Sequence, residues 1–110
     1  LIFDGVINSY FSGWQGDDVI SDPVVEGIAK EISRIKDAGY AVVIQSSRAS
    51  SAEGYNAIMN YLAQNDIKVD GVYSFKPPAV AYIDDRAILF NGDPTGLLEK
   101  IQNLKPWNSK

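Results

Sequence analysis

Cysteine is absent from the 110-residue chain, so disulfides, thiolate nucleophiles and Cys-ligated zinc are excluded. Histidine is absent too, which removes Ser–His triads, imidazole acid/base catalysis and His-bound metals. Basic residues are few: 10 Lys plus Arg against 14 Asp plus Glu give a net charge of −4. That balance argues against a basic nucleic-acid footprint and against anionic membranes. No apolar run approaches the ~18 residues of a membrane span. No charged stretch with a small-residue cleavage site opens the chain, so the expectation is a cytoplasmic protein without an export signal. What remains for chemistry is carboxylates, hydroxyls, Lys, Arg and backbone. Hard, oxygen-seeking ions such as Mg²⁺ suit that ligand set.

The residues that are present alternate between short apolar runs and helical patterns. Hydrophobic residues at 45% and charged residues at 22% fit a single globular domain over 1–110. Leu1-Ile2-Phe3 reads as the end of a buried strand, stopped by Asp4-Gly5. Residues 8–21 mix aromatics with Gly and polar residues and read as a small flap or loop, too short for a separate cap domain. Asp22-Pro23 predicts a helix start, with Val25, Ile28, Ile32 and Ile35 on one face up to Gly39. Tyr40 to Ile44 reads as a strand buried on both faces. Ser50 and Glu53 have capping-box spacing ahead of a helix carrying Tyr55, Ile58, Met59 and Leu62. Val69–Phe75 and Ala79–Ile83 read as further strands, and 87–90 as a short fifth candidate. Asp93-Pro94 predicts a last helix with Leu97, Ile101 and Leu104 on one side.

Strands alternating with helices predict an α/β fold, a doubly wound parallel sheet with helices on both faces. Ligands bind such sheets beyond the carboxyl ends of the strands. Asp4, then Ser46-Ser47-Arg48, then Lys76, then Asp84-Asp85 follow the predicted strands in turn. Three acids meeting at one sheet edge repel unless a cation intervenes, and Mg²⁺ resolves the conflict. Against this, Asp4-Gly5 serves equally as a turn and Asp84-Asp85 as a solvated loop. Ser46, with exposed backbone N–H groups at a strand-to-helix turn, suits an anion; Ser50 or Ser51 already supplies the helix cap. Lys76, fixed by Pro77-Pro78, balances a phosphate's charge or is an ordinary surface lysine. Arg48 reads as an anion contact or a solvated first-turn residue. Trp14, with Tyr10 and Phe11, lines a substrate entrance or covers the sheet edge.

In this order the motifs resemble those of the haloacid dehalogenase-like (HAD) hydrolase superfamily, in its small capless phage and bacterial form. Phe3-Asp4-Gly5-Val6 is similar to the second half of the first motif, D-x-D-G-[TV]. Val42-Val43-Ile44-Gln45-Ser46 is similar to the second, Lys76 to the third, and Ile83-Asp84-Asp85 to the fourth. The resemblance implies a Rossmann-like domain and Mg²⁺-dependent phosphoryl transfer through an aspartyl-phosphate. It implies Asp4 as general acid and base, Asp4, Asp84 and Asp85 around the metal, and Ser46, Ser47 and Lys76 on the phosphoryl group. Its substrate would be a small or terminal phosphomonoester. Long nucleic acid and membrane partners are not expected, and a second subunit supplying a lid is compatible.

The chain departs from the pattern at one position. The attacking aspartate belongs two residues before Asp4, where Ile2 stands. Ile cannot attack phosphorus. A natural pseudoenzyme that binds phosphate or metal without turnover, a deliberate substitution, or an aspartate missing between Ile2 and Phe3 each fits. Leu-Ile-Asp-Phe-Asp-Gly-Val would carry the whole motif. A phospho-accepting receiver domain uses the same residue types, but places its acidic pair first instead of last.

Overall fold

A computed structural model describes residues 1–109. The elements in chain order are α1 (Ile28–Asp37), β1 (Val43–Gln45), a 3-10 turn (Ser47–Ser50), α2 (Ala52–Gln64), β2 (Gly71–Tyr73) and α3 (Leu97–Asn103). The chain is therefore an α/β protein with three helices and a two-stranded parallel sheet. The strands pair Val43 with Gly71, Ile44 with Val72 and Gln45 with Tyr73. Parallel neighbours need a crossover, and α2 supplies it. Asp70 fixes the register at the start: its N–H donates to Val42 O, and its Oδ2 accepts from Val42 N, both at 2.7 Å.

Leu1–Phe3 lies along the other side of β1. Gln45 N donates to Leu1 O at 2.9 Å and Phe3 N to Gln45 O at 3.2 Å, in parallel sense. Beyond it, Ile2 N donates to Ile83 O at 2.9 Å, the one main-chain bond that ties the 79–83 run to the sheet among the described residues. The expected strands at 79–83 and 87–90 do not form. Pro77 and Pro78 lead into the first without N–H donors, and Val80 and Leu89 stand about nine-tenths exposed.

The core gathers Phe3, Ile7, Ile32, Val42, Ile44, Ile58, Leu62 and Ile67, with Tyr61 edge-on to Phe3 at 5.4 Å. Each fully buried aliphatic side chain contributes about 1.5–3 kcal/mol. In α2 the buried residues are Gly54, Ile58, Tyr61 and Leu62, while Tyr55 and Met59 face outward. Gly54 is required where it stands, because a Cβ there would strike the Arg48 carbonyl. The N-terminal cap of α2 is Ser51, whose Oγ accepts from Gly54 N at 3.0 Å, and not Ser50. Helix α1 starts at Ile28 instead of Pro23. Residues 22–25 are taken by long-range pairing instead: Ser9 N donates to Pro23 O, Val25 N to Ile7 O, and Asn8 bridges Val24. Gly27 then turns the chain at φ 84°, a left-handed value suited to glycine.

Candidate functional site

Parallel pairing puts the carboxyl ends of Leu1–Phe3, β1 and β2 on one edge. Asp4 follows Leu1–Phe3 and Ser46 follows β1 there. Ser46 N donates to Tyr73 O at 2.9 Å, which holds the edge closed between β1 and β2. The Ser46 hydroxyl accepts from Arg48 N at 3.2 Å and caps the 3-10 turn. It therefore has a capping task that sequence reading did not assign to it. A hydroxyl that accepts still carries a proton to donate. Ser47 is exposed beside it.

Arg48 is the reverse of the solvated or ligand-facing residue expected. It is 1% exposed. Its Nε donates to both oxygens of Asp4, at 3.2 and 3.0 Å. Its Nη1 donates to the carbonyls of Gly16, Asp17 and Val19 at 2.6, 3.0 and 3.1 Å. Trp14 covers the guanidinium, 4.5 Å from ring centroid to Cζ. So the expectation of Arg48 as a substrate contact gives way. Arg48 is spent inside the protein, and half-exposed Trp14 is its lid. Asp4 has a further partner, Asn8 Nδ2 donating to Oδ1 at 2.5 Å. Asn8 is itself buried, and its Oδ1 accepts from Tyr10 N at 2.8 Å. Neither Asn8 nor the loop carbonyls were legible as site residues; their partners lie far off in sequence or depend on loop geometry.

Asp85 comes to the same edge from the other side of Leu1–Phe3. Its carboxylate fills the space where a Cβ on Gly5 would stand, and position 5 has φ 94°, a left-handed value suited to glycine. Asp85 Oδ2 is buried and, among the described residues, has no hydrogen-bond partner. Burial, then the neighbouring charge of Asp84, pushes the Asp85 carboxyl above its ordinary value. Asp84 is exposed, and its Oδ1 accepts from Arg86 N at 2.9 Å, an ordinary turn bond. Tyr10 senses Asp4, Arg48, Arg86 and Asp85 together; burial and the two acids raise its hydroxyl above the usual range.

The triad of acids expected around Mg²⁺ is assembled only in part. Among the described residues no group of three acidic side chains is close enough to hold a metal ion. The reason is local: the Asp4 carboxylate is turned to Arg48 and Asn8, and Asp84 closes its own turn. Lys76 does not join the edge through any ion pair or hydrogen bond among the described residues. Its Nζ stands 4.1 Å above the Tyr82 ring, in an apolar groove of about 530 Å³ bounded by Pro77, Pro78, Val80 and Leu1.

No family model, no curated protein and no solved structure matches this chain.

Proposed function

We propose that this edge is the site of a Mg²⁺-dependent phosphomonoester hydrolase that works through an aspartyl-phosphate on a small or terminal phosphate. The observation that carries the reading is the buried Oδ2 of Asp85 beside Asp4-Gly5, without a partner among the described residues. A buried carboxylate oxygen without a donor is costly, and a cation is its natural complement. Asp85, with Asp84 next to it, would hold Mg²⁺; a Mg²⁺ site needs only one or two carboxylates and keeps several waters. When bound, the ion neutralises the acids and orients the phosphate.

The chain's own residues divide the remaining work. Ser46 retains a proton to donate to a phosphoryl oxygen, and Ser47 offers its backbone N–H at the same turn. Asp4, whose two oxygens accept from Arg48 and Asn8, would have to turn from them to protonate the leaving oxygen and later activate water. Lys76 would have to leave the face of Tyr82 to reach the phosphate.

Hydrolysis also needs an attacking carboxylate, and Ile2 supplies none. Ile2 bridges Gln45 of β1 and packs against the core. That observation favours a second reading, a module of the same descent that binds phosphate or metal without turnover.

One experiment separates the two. The chain, and a version with Asp inserted between Ile2 and Phe3, are assayed on p-nitrophenyl phosphate with Mg²⁺ and with EDTA. Binding of Mg²⁺ and of inorganic phosphate is measured alongside by calorimetry. EDTA-sensitive turnover by either chain supports the hydrolase site. Binding by both without turnover by either supports the second reading. If neither chain binds either ligand nor turns over, both readings fall.

A further inference from the structure

Arg48 joins the carboxylate of Asp4 to the loop 13–19. Nothing else among the described hydrogen bonds ties Asp4 to that loop. The Nε edge takes the carboxylate, the Nη1 corner takes three carbonyls, and Trp14 from the same loop closes over the plane. A guanidinium is suited to this because its donors sit in a rigid planar fork, whereas an ammonium is a single point of charge. Both ends are expensive to break. A nearly fully buried cation that lost the carboxylate would be left with carbonyl dipoles alone, and one that lost the carbonyls would strand three acceptors.

We infer that Arg48 is a positioning residue that makes the loop 13–19 and Asp4 one mechanical unit, so that the state of the acid is felt in the loop. The loop carries no helix or strand of its own, and the described hydrogen bonds inside it are few, Val19 N to Gly16 O at 3.3 Å among them. Gly13 N donates to Tyr10 O and Ser21 Oγ to Gln15 Oε1 at its ends, and Arg48 fixes its middle through the carbonyls of Gly16, Asp17 and Val19. The inference rests on the phosphate-handling reading only for what the loop would cover: the oxygen-rich end of a substrate beside Asp4.

Hydrogen exchange of the loop amides, residues 16–19, tests the linkage without any ligand. Asp4→Asn removes charge from a residue that, among the described residues, makes no hydrogen bond to the loop. It is expected to speed exchange there by about tenfold, the loss of roughly one charge-assisted hydrogen bond. Arg48→Lys is expected to do the same, and the double variant to add little to Arg48→Lys alone, because the two changes cut one path. Amides of β1 and α2 at Ile44 and Ile58 are expected to stay far more protected than those of the loop and so report that the fold is intact. If Asp4→Asn does not fold, Arg48→Lys and Trp14→Ala carry the test, since both leave Asp4 in place. Loop exchange unchanged in the folded variants overturns the inference, as does full additivity in the double variant. Calorimetry with inorganic phosphate and Mg²⁺ on the wild type is kept separate. Absence of binding there defeats the phosphate-handling reading, while the exchange rates still decide the linkage.

Discussion

Residues 1–73 and residues 74–109 are built on different principles. Among the described residues, every buried one lies at or before Ile67. After it, large apolar side chains stand in the open: Val80 at 90%, Leu89 at 89%, and Leu98 and Ile101 of α3 at 62%. α3 buries no residue at all. The later segment is held to the earlier one by polar and edge contacts. Ile2 N donates to Ile83 O, Trp107 Nε1 to Gly5 O at 2.8 Å, and Asn108 Nδ2 to Ser9 O at 2.7 Å. Trp107 also meets Phe11 edge-on at 5.4 Å. The candidate site straddles the division. Asp4, Ser46 and Arg48 come from the packed part, and Asp84 and Asp85 from the exposed part. A ligand that bridges the two would therefore add stability where burial adds none, through its preference for the assembled form.

The sharpest way to break the comparison is to cut the packed part at its buried charge. Arg48→Ala leaves Asp4 without its cation and three carbonyls without a donor. It is expected to cost about 3–5 kcal/mol in urea unfolding. Ile58→Ala, in the centre of the core, is expected to cost about 2–5 kcal/mol. Either value below about 1 kcal/mol would contradict the packing described here.

Alkaline titration gives an intermediate test. Burial first, then the charges of Asp22 and Asp4, push the Tyr61 hydroxyl up to about 12. Its folded value lies above the ordinary 10.0, so the folded state holds this proton more tightly than the unfolded chain. The stability this contributes is complete below pH 10 and is lost as pH rises toward the folded value. Tyr61→Phe also removes the hydrogen bond to Asp22 O, at a cost near 1 kcal/mol at neutral pH. The stability gap between wild type and Tyr61→Phe is expected to be constant up to about pH 9 and to shrink above it. Unfolding midpoints across that range measure it, and a gap that widens would contradict the assignment.

Smaller effects sharpen the contrast further. Ser51→Ala removes the α2 cap and is expected to cost about 1 kcal/mol. In the later segment, Leu89→Ala and Ile101→Ala are expected to fall within about 0.5 kcal/mol of wild type, although both delete large apolar side chains. A cost of about 2 kcal/mol at either would mean that the segment 74–109 is packed after all.

What was legible in the sequence follows the same boundary. The apolar run before Ser46 and the spacing of Ile58 and Leu62 gave β1 and α2, because burial there follows local periodicity. The reading of Asp22-Pro23 as a helix start failed because Asn8, Ser9 and Ile7 claim residues 23–25 for pairing, a contact no local pattern announces. Asp93-Pro94 is displaced for a local reason: Asp93 Oδ1 closes a turn on Thr95 N, and Gly96 bends the chain before Leu97. In the site, Asp4 and Ser46 could be placed at one edge from strand order alone. Arg48 could not be read as an internal clamp, because its partners lie about 30 and 44 residues away. A serine and an arginine after a strand look the same whether they face solvent or each other's backbone.

The proposed cation-binding group is Asp85, whose Oδ2 has no partner among the described residues and lies against Gly5. Calorimetric titration of Mg²⁺ into the wild type and into Asp85→Asn at neutral pH tests it most directly, with the unfolding temperature of both measured alongside. Saturable Mg²⁺ binding by the wild type, lost in an Asp85→Asn protein that is folded and at least as stable, is the predicted result. Equal binding by both proteins, or no binding by the wild type, would contradict it.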